Sequence, residues 1–323
     1  MPAARRDHPL LGIALIAAAT VLFASMDNSA RWLGRRLPVL SFFWARYAIQ
    51  AAAMGLWLGA AHGRAGFRSA SVRFQLLRGL LLAAVSALVF YGLQHMPAPE
   101  FTAINMLAPL LVTVLAAAWL KEPVTRLQRA LVAGGFLGAL LVVRPGSGLF
   151  GWAALFPVAS ALCFASFQLL TRHLAGTERV ATTHFFTGAV GTAVLTPFLL
   201  ADLDALLPAV RAAPPGVLAV VLLLGVLGTA GHLLLILALG LAPASVLMPF
   251  SYLQIGFATA LGALIFDQWP DRWSFAGMLV ITACGAAGAW LNVRGRGPPP
   301  GPSTPASRAV PGQPSDRAAT RRT

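Results

Sequence analysis

Asp27, Arg46 and Asn105 each interrupt a long apolar run, and so do Gln168, Thr187 and Ser251. Together these residue types suit the binding of a small polar solute. The planar fork of an arginine matches a carboxylate or a phosphate. A carboxylate holds an amine or carries a proton, and amides and hydroxyls both donate and accept hydrogen bonds. The rings of Trp44, Tyr91 and Tyr252 lie near these positions and offer faces for a flat solute. Lys121 and Glu122 close an apolar run, where an ion pair suits a gate or a simple helix-end contact. Bond-breaking chemistry has no such support. There is no His-Glu-x-x-His, no Asp-rich cluster and no Gly-x-Ser-x-Gly turn. His95, His184 and His232 fall on different runs without metal-site spacing, so neither metal nor cofactor is expected.

The elements that must position these residues are membrane spans. Apolar residues make up 58% of the chain and charged residues 11%, against about a quarter charged in soluble proteins. So few charges cannot cover a soluble surface, and the chain reads as an all-α integral membrane protein. A bilayer core takes about 20 apolar residues as helix. Ten segments are predicted, over 10–29, 39–60, 76–96, 99–120, 129–144, 151–171, 182–201, 216–238, 243–266 and 274–292. No segment alternates with period two, as barrel strands would. Turn signals separate them at Pro38, Pro97-Ala98-Pro99, Pro145-Gly146, Pro214-Pro215-Gly216 and Pro243. Cys163 and Cys284 sit inside apolar runs and read as small buried residues rather than a disulfide. The first apolar run follows basic residues, yet a cleaved signal peptide is not expected, because its motif returns deep in the chain.

That motif is FASMDNSARWL at 23–33, echoed 141 residues later as FASFQLLTRHL at 164–174. A second echo has an offset of 146, at which Leu93, Pro97, Leu107, Thr113 and Arg126 meet Leu239, Pro243, Leu253, Thr259 and Arg272. Each half then carries five spans. Five is odd, so the second copy enters the membrane from the opposite side. Inverted repeats of this kind typify secondary transporters, whose substrate site lies at the midplane between the halves. The repeat pairs Asp27 with Gln168, Arg46 with Thr187 and Asn105 with Ser251. One member of each pair falls in the outer half of the membrane and the other in the inner half, so the six can line one path.

Ten spans in a five-plus-five repeat, Phe-Ala-Ser at the start of each half, Arg46 in the second span and Lys121-Glu122 after the fourth resemble the EamA type of the drug/metabolite transporter superfamily. The resemblance covers about residues 10–293 and implies transport of small metabolites such as amino acids, nucleosides or vitamin-like compounds. The chain departs from equal halves at Glu122, whose counterpart is Gln268. The expected organisation is a cytoplasmic N-terminus at 1–9, a five-helix repeat at 10–146, an inverted repeat at 147–293 and a basic, disordered tail at 294–323. The expected function is secondary transport of an amino acid or related carboxylate-bearing solute by alternating access. A membrane receptor or scaffold, or a membrane enzyme without transport, is the alternative. For Arg46, roughly 12 Å into its span at 1.5 Å per residue, a permanent ion pair with Asp27 stands beside substrate contact.

The net charge of +14 is read as an orientation signal. One set of alternate loops holds Arg5, Arg6, Arg64, Arg68, Arg73, Arg78, Lys121, Arg126, Arg129, Arg172, Arg179, Arg294 and Arg296 as well as the tail arginines. The opposite set holds Arg31, Arg35, Arg36, Arg144, Arg211 and Arg272. The positive-inside rule then puts both termini in the cytoplasm of a plasma (inner) membrane protein. The expected partners are a small-molecule substrate, the lipid bilayer and a proton as coupling ion carried by Asp27. Nucleic acid is not among them, since no soluble domain alternates basic and aromatic residues. Pro109 and Pro249 are predicted to bend the fourth and ninth spans, because neither can donate to the carbonyl four residues back.

Overall fold

The computed structural model describes residues 8–95, 101, 104–122, 124–143, 152–267 and 271–294. The turns at Pro97-Ala98-Pro99 and Pro145-Gly146, Gln268, Glu100 and the tail beyond Arg294 lie outside the described residues. Among those described the chain is helical and carries no strand. The helices are α1 (Pro9–Leu33), α2 (Val39–His62), α3 (Val72–His95), α4 (Ala108–Trp119), α5 (Arg126–Val143), α6 (Leu155–Leu174), α7 (Val180–Ala201), α8 (Leu203–Arg211), α9 (Pro215–Leu241), α10 (Ala244–Ser251), α11 (Leu253–Phe266) and α12 (Arg272–Arg294). Proline opens α1, α4 and α9, where its fixed φ fits and its missing N–H is not needed.

Polarity runs inward. Leu56, Leu80, Val114, Leu137, Leu162, Leu222, Leu264 and Leu279 are exposed, while Arg46, Gln50, Arg78, Gln168, His184 and His232 are buried. Water would drive the opposite arrangement, whereas lipid accepts the leucines and makes exposed charge costly. Within the described residues six helical stretches are long and apolar enough to cross a bilayer: Pro9–Leu33, Val72–Gly92, Trp152–Leu174, Val180–Ala201, Pro215–Leu241 and Ala244–Phe266. Ala108–Trp119 and Phe275–Cys284 are shorter apolar helices. The structure is thus an all-α membrane fold.

Helix packing repeats when each helix is exchanged for its counterpart in the other half. α1 packs on α9 as α6 packs on α3, and α3 meets α7 as α9 meets α2. Counterparts also pack on each other, α2 on α7 and α5 on α12. The α2–α7 pair is antiparallel. Trp44 near the start of α2 bonds Thr196 near the end of α7, Gln50 bonds His184, and Thr182 near the start of α7 donates to the carbonyl of Gly66 just beyond α2. The close approach depends on Gly188, where a Cβ would stand 2.7 Å from the backbone nitrogen of Ala51.

Backbone breaks follow the same offset. Tyr252 separates α10 from α11, and Met106–Leu107 form a turn just before α4. These breaks lie 146 residues apart. Lys121 (φ 53°) and Asp267 (φ 54°), at the ends of α4 and α11, are the two non-glycine residues with positive φ among those described. They too differ by 146. Pro109 lies in the first turn of α4, just past its break, and Pro249 lies within α10, just before the other.

Candidate functional site

Arg46 lies inside the bundle, where α2 packs on α9. Its stem rests against α9 at Gly228, where a Cβ would meet the Cδ of Arg46 and the sulfur of Met26, each at 3.1 Å. Its guanidinium stacks over the ring of Tyr47, 4.3 Å from the centroid. The residue is buried and its Nε has no hydrogen-bond partner among the described residues. Around it stands a layer of neutral polar groups. Nε2 of His184 donates to the carbonyl of Thr229 at 2.9 Å, which leaves Nδ1 to accept from Gln50 at 3.2 Å. Nδ1 of His232 donates to the carbonyl of Gly228 at 2.9 Å. The His232 ring sits between Phe23 and Phe167, at 4.8 and 6.2 Å. Gln168 and Thr187 are also buried; Oε1 of Gln168 has no partner among the described residues, and Thr187 donates to the carbonyl of Thr183.

Asp27 is exposed although it stands within a transmembrane helix. A carboxylate in a membrane span is costly unless it has a polar partner or faces a cavity. Its partner is Gln254, whose Nε2 donates to Oδ2 at 2.7 Å. Gln254 follows directly on the α10–α11 break, so the break aims an amide at the carboxylate. Among the described residues Asp27 and Arg46 form no ion pair: Asp27 accepts from Gln254 on α11, and Nε of Arg46 is left without a hydrogen-bond partner.

The breaks bring further polar groups to the same level. The hydroxyl of Tyr252 donates to the carbonyl of Met106 at 3.2 Å, and Tyr252 is fully buried. Asn105 precedes that carbonyl, half-buried, with Oδ1 unpartnered. Ser251 is half-buried, its hydroxyl 4.0 Å from the sulfur of Met248. Trp44 is half-buried and donates to Thr196 at 2.9 Å. Tyr91 stands apart. It is 47% exposed, on the outer surface of α3, against Phe90.

The opposite side of the bundle is tied shut. Nε of Arg172 donates to Glu122 Oε1 at 3.0 Å, and NH1 of Arg172 donates to the carbonyl of Leu239 at 2.9 Å. The backbone N–H of Ser245 points at Glu122 Oε2 at 3.4 Å. Both side chains of the ion pair are nearly buried. These bonds join the ends of α4, α6 and α9 to the start of α10. Lys121 is exposed and makes the turn that sets Glu122 in place.

Several residues here were hidden in the sequence. Arg78 and Arg172, counted there among loop arginines, are buried within α3 and α6. Arg78 lies within the predicted run 76–96, and α6 continues to Leu174, past the predicted end at 171, and carries Arg172 into the bundle. Gln50, one helical turn beyond Arg46, shares its face and was legible on that ground. Gln254 was not, because its role comes from the break at Tyr252. Among the described residues no group of His, Cys, Asp and Glu has the make-up of a metal site.

Comparison with known proteins places this geometry. The model of the EamA-like transporter family matches twice, over residues 10–144 and 151–290. A riboflavin transporter of Brucella anthropi is 25% identical over 81% of this chain and 93% of its own. An S-adenosylmethionine uptake transporter of Rickettsia bellii is 24% identical over 84% of this chain and 90% of its own. A pseudopaline exporter of Pseudomonas aeruginosa is 26% identical over 84% and 94%. A crystal structure with 18% identity superposes with a TM-score of 0.69, covering 90% of this chain and 98% of that one, which bears on the fold alone. The paired helix packing, the polar centre and the two family matches lead to one conclusion: the chain belongs to the EamA-like transporter family and is a multi-pass membrane transporter of small metabolites.

Proposed function

We propose that the chain is a secondary transporter that moves a small carboxylate-bearing metabolite, an amino acid or a related solute, by alternating access. The observation that carries this reading is the buried Arg46, whose Nε has no hydrogen-bond partner among the described residues, on the span next to Asp27. A buried cation without a counter-ion is costly in a membrane, and a substrate carboxylate removes that cost when it binds. Asp27 and Gln254 then take the amine or hydroxyl end of the solute. Asn105, Gln168 and Ser251 supply orienting dipoles, and Trp44 and Tyr252 supply apolar walls. The Glu122–Arg172 pair is the gate of the closed side, and it must open when the Asp27 side closes. S-adenosylmethionine, the solute named for one relative, carries an amino-acid head group of the kind this centre suits.

The reading includes ten spans divided as 10–146 and 147–293, the second half inverted, in the plasma (inner) membrane with both termini in the cytoplasm. The bias of arginines to one set of loops supports this orientation, although Arg78 and Arg172 drop out of that count. Asp27 is the proposed proton carrier, and Asp27→Asn is expected to transport with its pH dependence abolished. An unaltered pH profile in that variant rejects proton coupling through Asp27.

A second reading has one specific support. The rings of Phe23 and Phe167 flanking His232 suit a flat, uncharged solute such as riboflavin, named for another relative. A thermal-shift screen separates the two, because a ligand bound by the folded state raises the melting temperature. Stabilisation by S-adenosylmethionine or amino acids in wild type and not in Arg46→Ala supports the carboxylate reading. Stabilisation by riboflavin alone, equal in both proteins, favours the flat solute and rejects Arg46 as the anchor.

A further inference from the structure

Arg78 is a second buried arginine, and the transport centre just described leaves it without a role. It is fully buried near the start of α3 and touches Thr171, the residue before Arg172 in α6. Its Nε donates to Thr171 Oγ1 at 2.6 Å, and NH1 donates to the carbonyl of Thr183 at 2.9 Å and to Gln75 Oε1 at 3.3 Å. Its guanidinium stacks 4.7 Å from the Phe167 ring centroid. NH2 is buried and has no partner among the described residues. Every group it touches is neutral. The Thr171 hydroxyl already spends its proton on the carbonyl of Phe167, at 2.7 Å. The surroundings therefore hold the cation in place and leave its charge unmatched.

Space lies next to it. Thr171 and Thr183, two of its partners, form part of the wall of a cleft of about 190 Å³ between α6, α7 and α9. The carboxylate in that wall, Glu178, is engaged elsewhere: it accepts from Ser69 Oγ at 2.6 Å and from the N–H of Ser71 at 2.9 Å. Arg78 thus stands one threonine behind an open cleft, on the side opposite Arg46. Between the two arginines lies the neutral Gln50–His184–Thr229 layer. The repeat does not demand this placement, since the 146-residue offset puts Leu224 opposite Arg78.

We propose that Arg78 is a second anion-binding station, on the Glu122 side of the membrane, which takes a carboxylate or phosphate group once that side opens. The inference deepens the transport reading and rests on it: an anionic group held by Arg46 on one side is received by Arg78 on the other, across the neutral layer between them. The shared ligand chemistry is an oxyanion, which can come from a solute or from a lipid headgroup.

The test is residue-resolved modification of arginine by phenylglyoxal, read by mass spectrometry on purified full-length protein in phosphatidylcholine nanodiscs. Arg78 is expected to react slowly in wild type and at least fivefold faster in Glu122→Gln, which frees the gate. Inorganic phosphate at constant ionic strength is expected to slow that reaction at least fivefold, with saturation. Protection that appears in phosphatidylglycerol nanodiscs without phosphate assigns the oxyanion to lipid; protection by phosphate in phosphatidylcholine assigns it to a soluble anion. Arg78 inert in both proteins is a sealed structural residue, and that result overturns the proposal. Modification that phosphate leaves unchanged, or slows only in proportion to ionic strength, overturns it as well. Flux measurements are independent: protected Arg78 without solute flux keeps this site and rejects the transport reading, and flux with unprotected Arg78 does the reverse.

Discussion

The hydroxyl of Tyr252 donates to the backbone carbonyl of Met106 at 3.2 Å, and these residues occupy the same place in the two halves of the chain, 146 positions apart. Each sits at the break of its own span. The contact therefore joins the two interrupted helices where the halves meet, beside Asn105 and one turn from Gln254. An interrupted helix leaves backbone groups unpaired, and such groups are tolerated at membrane depth only where they face protein or a water-filled cavity. Tyr252→Phe keeps the ring and removes the bond. It is expected to lower thermal stability by about 1 kcal/mol, the usual worth of one hydrogen bond, and to reduce transport more than that loss of folded protein explains. Unchanged flux in Tyr252→Phe limits the contact to a packing role.

Arg46→Lys keeps the charge and loses the fork. For a carboxylate-bearing solute it is expected to raise KM about tenfold, equivalent to about 1.4 kcal/mol, with kcat changed less. Arg46→Ala is expected to lose more. Initial-rate uptake over a range of solute concentrations measures both, and an unaltered KM in either variant removes Arg46 from the site.

Glu122→Gln weakens the pair with Arg172 and should shift the protein towards the state open on that side. The readout is maleimide labelling of Ser245→Cys in a background with Cys163 and Cys284 replaced by alanine. Labelling is expected to rise severalfold over the same cysteine with Glu122 intact. Equal labelling in the two proteins shows that the ion pair is not a gate.

Gly188→Ala places a methyl group against the backbone of Ala51, 2.7 Å from its nitrogen. A helix backbone cannot swing aside as a side chain can. The variant is expected to lose about 1–3 kcal/mol of stability, typical of overpacking, read as a lowered melting temperature. An undiminished melting temperature shows that the α2–α7 contact is looser than the structure has it.

Much of the fold was legible because a membrane simplifies the code. Apolar runs mark the helices, and two offsets in the sequence, 141 and 146, mark the repeat. The αL turns at Lys121 and Asp267 then fell on the second offset. Within the site, Asp27, Arg46 and Gln168 stood out because charge or amide in an apolar run is expensive. What stayed hidden depends on distance rather than on period. Nothing in the sequence links Gln254 to Asp27, 227 residues earlier. Arg172 read as a loop charge until Glu122, 50 residues away, was seen to hold it. Arg78 stands two residues into the apolar run 76–96, where an arginine counts equally well as a loop charge; α3 begins a turn earlier, at Val72, and Arg78 is buried. Tyr91 was the opposite case, an aromatic near the site in sequence that its helix turns to the outer surface.

The most direct test of the central claim is flux into proteoliposomes, with radiolabelled S-adenosylmethionine, glutamate and riboflavin as the panel. Saturable uptake of a carboxylate-bearing member by wild type, reduced at least tenfold in Arg46→Ala, is the predicted result. No saturable flux of any of the three in wild type, or riboflavin uptake alone and undiminished in Arg46→Ala, contradicts a transport site anchored on Arg46.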